Sequence, residues 1–261
     1  MKRSNRTAQL SALAFIVPLL ISSNAYAQDS IPAAFRDGTY FSFAGGASNL
    51  SLYGTTLKGE GEYGDNAGRE AANVRSSGPQ YSLSVGYEFA KTATIMHGVE
   101  ASVSKFDGEH INYGLREDGA IQASVAYDQG PLLSVRSKIG VVKGETMFFG
   151  TLGPALLMEK QTRTQYVEVS SGSAFSTASF AETDTKIRYG AAMSVGVRQA
   201  IAQDWSMLFE LQYFLLAPTT YHFDDARGGL RIGAGYDYVQ GRQAESTFQN
   251  TVLLIGLTRK F

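Results

Sequence analysis

Residues 251–261, Thr251-Val252-Leu253-Leu254-Ile255-Gly256-Leu257-Thr258-Arg259-Lys260-Phe261, decide the fold. At a period of two, Leu253, Ile255, Leu257 and Phe261 share one face, and Val252, Leu254, Gly256, Thr258 and Lys260 share the other. In a soluble sheet the Leu253 face would turn into a core. In a strand tilted through a bilayer it turns toward lipid, and the closing aromatic sits at the interface. The segments upstream choose between the two.

The same alternation recurs upstream. In Gln80–Phe89, Tyr81, Leu83, Val85, Tyr87 and Phe89 oppose Ser82, Ser84, Gly86 and Glu88. Thr39–Leu50 sets Phe41 and Phe43 against Ser42 and Ala44, and His97–Phe106 sets Val99, Ala101 and Val103 against Glu100, Ser102 and Ser104. Leu132–Val142 and Lys186–Gln199 oppose Leu133, Val135, Ile139 and Val141 to Arg136 and Lys138, and Ile187, Tyr189, Met193 and Val195 to Arg188 and Arg198. Trp205–Leu216 places Met207, Phe209, Leu211 and Leu215 opposite Ser206, Glu210 and Gln212. Thr146–Met158 also reads as a strand, but both its parities are apolar, so its inner face stays open.

These eight strands are joined by connections that alternate between long polar stretches (51–78, 107–131, 159–185, 217–250) and short turns (90–95, 143–145, 200–204). Each strand has about the 9–11 residues that a tilted strand needs to cross hydrocarbon. The expectation is an all-β chain: a transmembrane, antiparallel up-and-down β-barrel of eight strands, with long extracellular loops and short periplasmic turns. A soluble lipocalin-type barrel has no reason to gather its long connections at one end or to turn apolar residues outward. Ile121–Tyr127 and Leu230–Tyr238 alternate too. As two more strands they would move the 159–185 stretch to the periplasmic end, so they read as hairpin extensions above the membrane. Because backbone groups in lipid must be paired within the protein, the last strand must close onto the first.

Lys2, Arg3 and Arg6, an apolar run from Leu10 to Ile21 and the Ala25-Tyr26-Ala27 site form a secretory signal peptide over 1–27, cleaved after Ala27. Residues 28–261 then form the barrel domain, opening on a short polar lead over 28–37. Removing 1–27 takes away three bases and no acid, so the formal charge moves from −1 to −4. The chain has no cysteine, so an exported protein of this kind is held by packing and backbone pairing alone. Twenty-eight glycines, fifteen phenylalanines and fourteen tyrosines suit a barrel, in which every second residue meets lipid.

On this rhythm and on the terminal Leu253, Ile255, Leu257, Phe261 pattern, the chain resembles the bacterial outer-membrane eight-stranded barrel superfamily. That group includes the outer-membrane protein A barrel domain, the opacity proteins and the porin-like surface antigens. The resemblance implies the outer membrane as location. It also implies that Leu253, Ile255, Leu257 and Phe261 are the signal read by the barrel assembly machinery, with Arg259 departing from the apolar or aromatic residue usual there.

Parity points eight charges inward: Glu88, Glu100 and Glu210 with Arg136, Lys138, Arg188, Arg198 and Lys260. A small barrel's interior is just filled by side chains, so these are expected to pair and block a water path. If a path existed, five bases against three acids would favour anions. Acids outnumber bases in all four long stretches, by eight charges in all. Such a surface suits divalent cations shared with lipopolysaccharide, or an extracellular or host ligand. The histidines are His97, His110 and His222. Only His222 with Asp224 and Asp225 offers an acid–imidazole group, and it assigns no catalytic residue. No cofactor, metal motif or nucleic-acid platform is read. The expected function is a non-enzymatic integral outer-membrane protein with a structural or surface-display role. A narrow porin is the first alternative, and an outer-membrane lipid-modifying enzyme or protease the second.

Overall fold

The computed structural model describes residues 32–60, 72–90, 92, 94–107, 111–117, 120–167, 177–222 and 239–261. Among them are nine strands: β1 (Gly38–Glu60), β2 (Ala72–Ala90), β3 (Ile95–Phe106), β4 (Ile111–Glu117), β5 (Ala120–Lys143), β6 (Thr146–Val167), β7 (Thr177–Ala200), β8 (Trp205–His222) and β9 (Val239–Lys260). Every pairing is antiparallel between sequence neighbours, except that β1 also pairs with β9 and β3 with β5. β3 lies along the lower part of β5, from Ile95↔Val141 to Ser104↔Leu132, and β4 along its upper part, from Ile111↔Tyr127 to Glu117↔Ala120. The two therefore share one stave, and the sheet closes as an eight-strand barrel.

Closure runs the length of the seam, from Tyr40↔Lys260 to Glu60↔Val239, so the first and last strands leave no open edge between them. The short links β2–β3, β5–β6 and β7–β8 lie at the end that also holds Gly38 and Lys260. The tightest is Gly144-Glu145, where Gly144 adopts φ +57°, a left-handed backbone that glycine reaches without a Cβ clash.

The inner and outer faces follow the period-two reading. Leu253 and Ile255 are 55% and 54% exposed, whereas Val252 and Leu254 between and beside them are fully buried. On β6, where parity left the faces open, Met147, Phe149, Ala155 and Leu157 point inward and Leu152, Leu156 and Met158 outward. The outward apolar residues form a belt around the lower barrel, from Phe41 and Phe43 on β1 through Tyr81–Phe89 on β2 to Leu253–Leu257 on β9.

Two expectations are corrected. The long polar stretches are largely sheet, not loop: β1 runs on to Glu60, β6 to Val167 and β7 starts at Thr177, so most strands have 18 to 24 residues. The alternation that marks a strand comes from one face meeting lipid. Beyond the belt both faces can be polar, so the pattern fades while backbone pairing continues, as in Glu159↔Lys186 through Thr162↔Thr183. The Ile121–Tyr127 extension is the upper part of β5, hydrogen-bonded to β4. Leu230–Tyr238, the leader with Ala25 and Ala27, His110, Asp224 and Asp225 lie outside the described residues. The second correction concerns the lead: Ala33–Phe35 forms a single 3-10 turn whose Ala34 and Phe35 are fully buried.

Candidate functional site: the barrel interior

The lower interior is organised around Glu88, near the end of β2. Its carboxylate accepts from three cations on three strands: Arg198 of β7 at 2.7 Å, Lys260 of β9 at 3.1 Å and Lys138 of β5 at 3.3 Å. Lys138 also reaches Glu100 of β3 at 3.3 Å. Arg136, one step further up the inner face of β5, bridges Glu100 and Glu210 of β8, the latter at 3.0 Å. Seven charges from six strands thus form one network, every member at most 5% exposed.

Aromatic rings frame it. Tyr40 donates to Glu100 Oε2 at 2.6 Å and accepts from Lys138 Nζ at 2.7 Å, while that ammonium lies 4.3 Å from the centre of the Tyr40 ring and 4.7 Å from that of Phe149. Two glycines make this possible. Gly86 pairs with Tyr40 and Gly196 with Phe149, and in each case a Cβ on the glycine would occupy the space of the facing ring. Below, Arg198 donates to the Ala34 carbonyl at 3.1 Å and to Ser206 Oγ at 3.0 Å, and stacks 5.4 Å from the Phe35 ring centre. The 3-10 turn is thereby held as a cork under the network.

Climbing the barrel, hydroxyl pairs come next: Ser42 with Thr258, Ser102 with Ser134 and Thr151 with Ser194, each at 2.7 Å. Above them the lumen is filled mainly by Leu50, Leu132, Leu157, Phe214, Leu216, Phe248, Val252 and Leu254, with the buried amides of Gln80, Gln129, Gln212 and Asn250 set among them. A second ionic group caps this layer, with Arg188 donating to Glu159 at 2.6 Å, Tyr221 at 2.9 Å and Gln161 at 3.1 Å to the same oxygen. Tyr221 stands six residues beyond Leu215, the last belt residue of β8. Its hydroxyl serves the Glu159 carboxylate as a donor.

All eight charges singled out by parity are buried on the inner face, seven in the lower network and Arg188 in the upper group. Glu159, Tyr40 and Tyr221 were not on that list. Glu159 opened a stretch that lacks alternation, although it continues the inward parity of Ala155 and Leu157. Its presence brings the described inner charges to five bases and four acids, weakening the anion bias expected from sequence. His222 closes β8, and His97 stacks on Phe89 at 5.9 Å near the short-turn end, so these two histidines lie at opposite ends of the barrel.

A closed sheet that buries its ion pairs and exposes Leu, Val, Ile and Phe inverts the arrangement of a water-soluble protein, and only lipid around the belt makes that inversion favourable. The chain is a transmembrane β-barrel. No family model matches it, and no curated protein does. Among solved structures it is similar to the outer membrane protein OprG from Pseudomonas aeruginosa, at 14% identity over 87% of this chain and 97% of that one, with a TM-score of 0.46. It is similar to the outer membrane protease OmpT from Escherichia coli, at 9% identity over 90% and 100%, with a TM-score of 0.43. It is also similar to Ail, the attachment invasion locus protein of Yersinia pestis, at 14% identity over 86% and 99%, with a TM-score of 0.36. The likeness is one of fold.

Proposed function

We propose that this barrel is a non-conducting, non-enzymatic outer-membrane protein that serves the envelope as a rigid post and displays its long connections at the cell surface. One observation carries the reading: the network around Glu88 fills the lumen with paired charges from six strands, with the Phe35 cork below it and a closely filled, largely apolar layer above it. An ion entering from either end would have to break charge-assisted hydrogen bonds, which contribute roughly 1.5–3 kcal/mol each. The sheet continues well past the apolar belt, so the acid-rich connections stand on a stiff stalk. That favours recognition of divalent cations with lipopolysaccharide, or of a host ligand, over solute passage. Insertion would use Leu253, Ile255, Leu257 and Phe261 as the assembly signal. Planar-bilayer recording of the refolded chain tests the reading: silence is expected, and discrete single-channel openings would overturn it.

One observation favours a second reading, the passage of small apolar molecules. Among the described residues no backbone pair joins 105–107 to 128–131, where β5 bulges at Gly130-Pro131 and the Lys105 ammonium donates to the Gln129 carbonyl instead, at 2.6 Å. A small cavity lined by Leu50, Phe106, Leu132, Phe248 and the amides of Gln80 and Gln129 lies beside this break in the wall. Faster entry of an apolar dye into vesicles bearing the protein, with conductance still silent, would favour this second reading over a purely structural barrel.

A further inference from the structure

Near the short-turn end the lipid-facing surface carries a cation, Arg259, where an apolar residue would be expected. Arg259 lies on the outer face of β9, one step from the chain end, in cross-strand register with Phe41 of β1 on one side and Trp205 of β8 on the other. Its guanidinium carbon is 5.5 Å from the centre of the Trp205 ring and 5.1 Å from that of Phe261. Among the described residues the guanidinium has neither a carboxylate nor a hydrogen-bond acceptor. Phe41, Tyr87, Phe89 and Trp205 place this level in the aromatic girdle at the short-turn end.

A charge on the lipid face of such a barrel is strongly disfavoured at the midplane and tolerated at the interface, so Arg259 belongs at headgroup level. The two rings flank the guanidinium without consuming its N–H donors, and Arg259 is exposed, so the fork stays available to a ligand outside the protein. The group that matches a planar fork at this depth is an oxyanion carrying two acceptor oxygens in reach of both arms. We infer that Arg259, Trp205 and Phe261 form a binding site for the phosphodiester of a membrane phospholipid in the leaflet at the short-turn end. This rests on the membrane-spanning reading and adds to it a specific lipid site at the seam where β9 meets β1 and β8. Such a site would brace the closing seam from outside, next to the Lys260–Glu88 pair inside.

Trp205 is the single tryptophan of the chain, so its emission reports the site directly. The full chain, folded in an uncharged detergent, is titrated with phosphatidylglycerol bearing brominated acyl chains as a quencher. Each variant is first checked for heat-modifiable mobility, which separates a failed barrel from a failed site. Wild type is expected to reach half-quenching at a lipid fraction at least tenfold lower than R259Q. R259K, which keeps the charge and loses the fork, should fall between them and carries the comparison if R259Q does not close. Coincident wild-type and variant curves would overturn the inference, as would equal quenching by a brominated diacylglycerol lacking phosphate. Displacement of the lipid by inorganic phosphate at matched concentration would assign the site to a free anion and overturn the lipid assignment.

Discussion

Replacing Glu88 by glutamine (E88Q) keeps the shape of the side chain and removes the charge that three buried cations share. Arg198, Lys138 and Lys260 approach it at 2.7, 3.3 and 3.1 Å, and Glu88 itself is fully buried. The amide retains one acceptor oxygen, and its NH2 would face ammonium or guanidinium hydrogens. Stranding buried charges in this way costs roughly 3–5 kcal/mol. The lower network then holds two acids against four bases, so its remaining members repel. The folding equilibrium should fall by about two to three and a half powers of ten, since about 1.4 kcal/mol corresponds to tenfold. Urea unfolding in uncharged detergent, followed by Trp205 emission and by the unboiled electrophoretic band, measures it. E210Q is the matched control: it removes a single 3.0 Å contact to Arg136, which keeps Glu100, and should cost about 1–2 kcal/mol. Adding K260M to E88Q removes one of the stranded cations and should restore part of the loss, giving a non-additive double-mutant cycle. An E88Q barrel within about 0.5 kcal/mol of wild type would refute the reasoning, because it would mean that water solvates these charges through an open lumen.

Boiling in detergent should shift the band of the wild-type protein, since closed backbone pairing resists detergent until heated; an unchanged band would count against closure. G86V places a branched side chain where the Tyr40 ring lies and should destabilise by about 1–3 kcal/mol in the same urea assay, whereas a valine at the exposed Ser77 should be nearly neutral. F35A removes the fully buried ring of the cork, yet bilayer recordings should stay silent because the Glu88 network is intact; openings in F35A alone would make the cork the seal. R188A leaves Glu159, among the described residues, with Tyr221 and Gln161 as donors and should lower stability by about 3 kcal/mol; a change under about 0.5 would show that the upper group is solvated.

What the chain alone determined is what a period of two can carry. Where one face of a strand meets acyl chains, as from Tyr81 to Phe89 or Leu253 to Leu257, the alternation names the outward residues, and the opposite parity names Glu88, Arg136, Lys138 and Arg198 as inward. The rhythm of long and short connections adds the strand count and the common end of the turns. Parity says nothing about which inward residues share a level, because that depends on strand tilt and on the register around a closed ring. Only the tertiary structure brings Glu88, Lys138, Arg198 and Lys260 together from four strands. It alone sets Tyr40 against Gly86, turns Phe35 inward under Arg198 and places Arg259 between Trp205 and Phe261. It alone also shows the sheet continuing past the belt. There the environment on the two faces no longer differs, so the sequence stops alternating while the backbone goes on pairing.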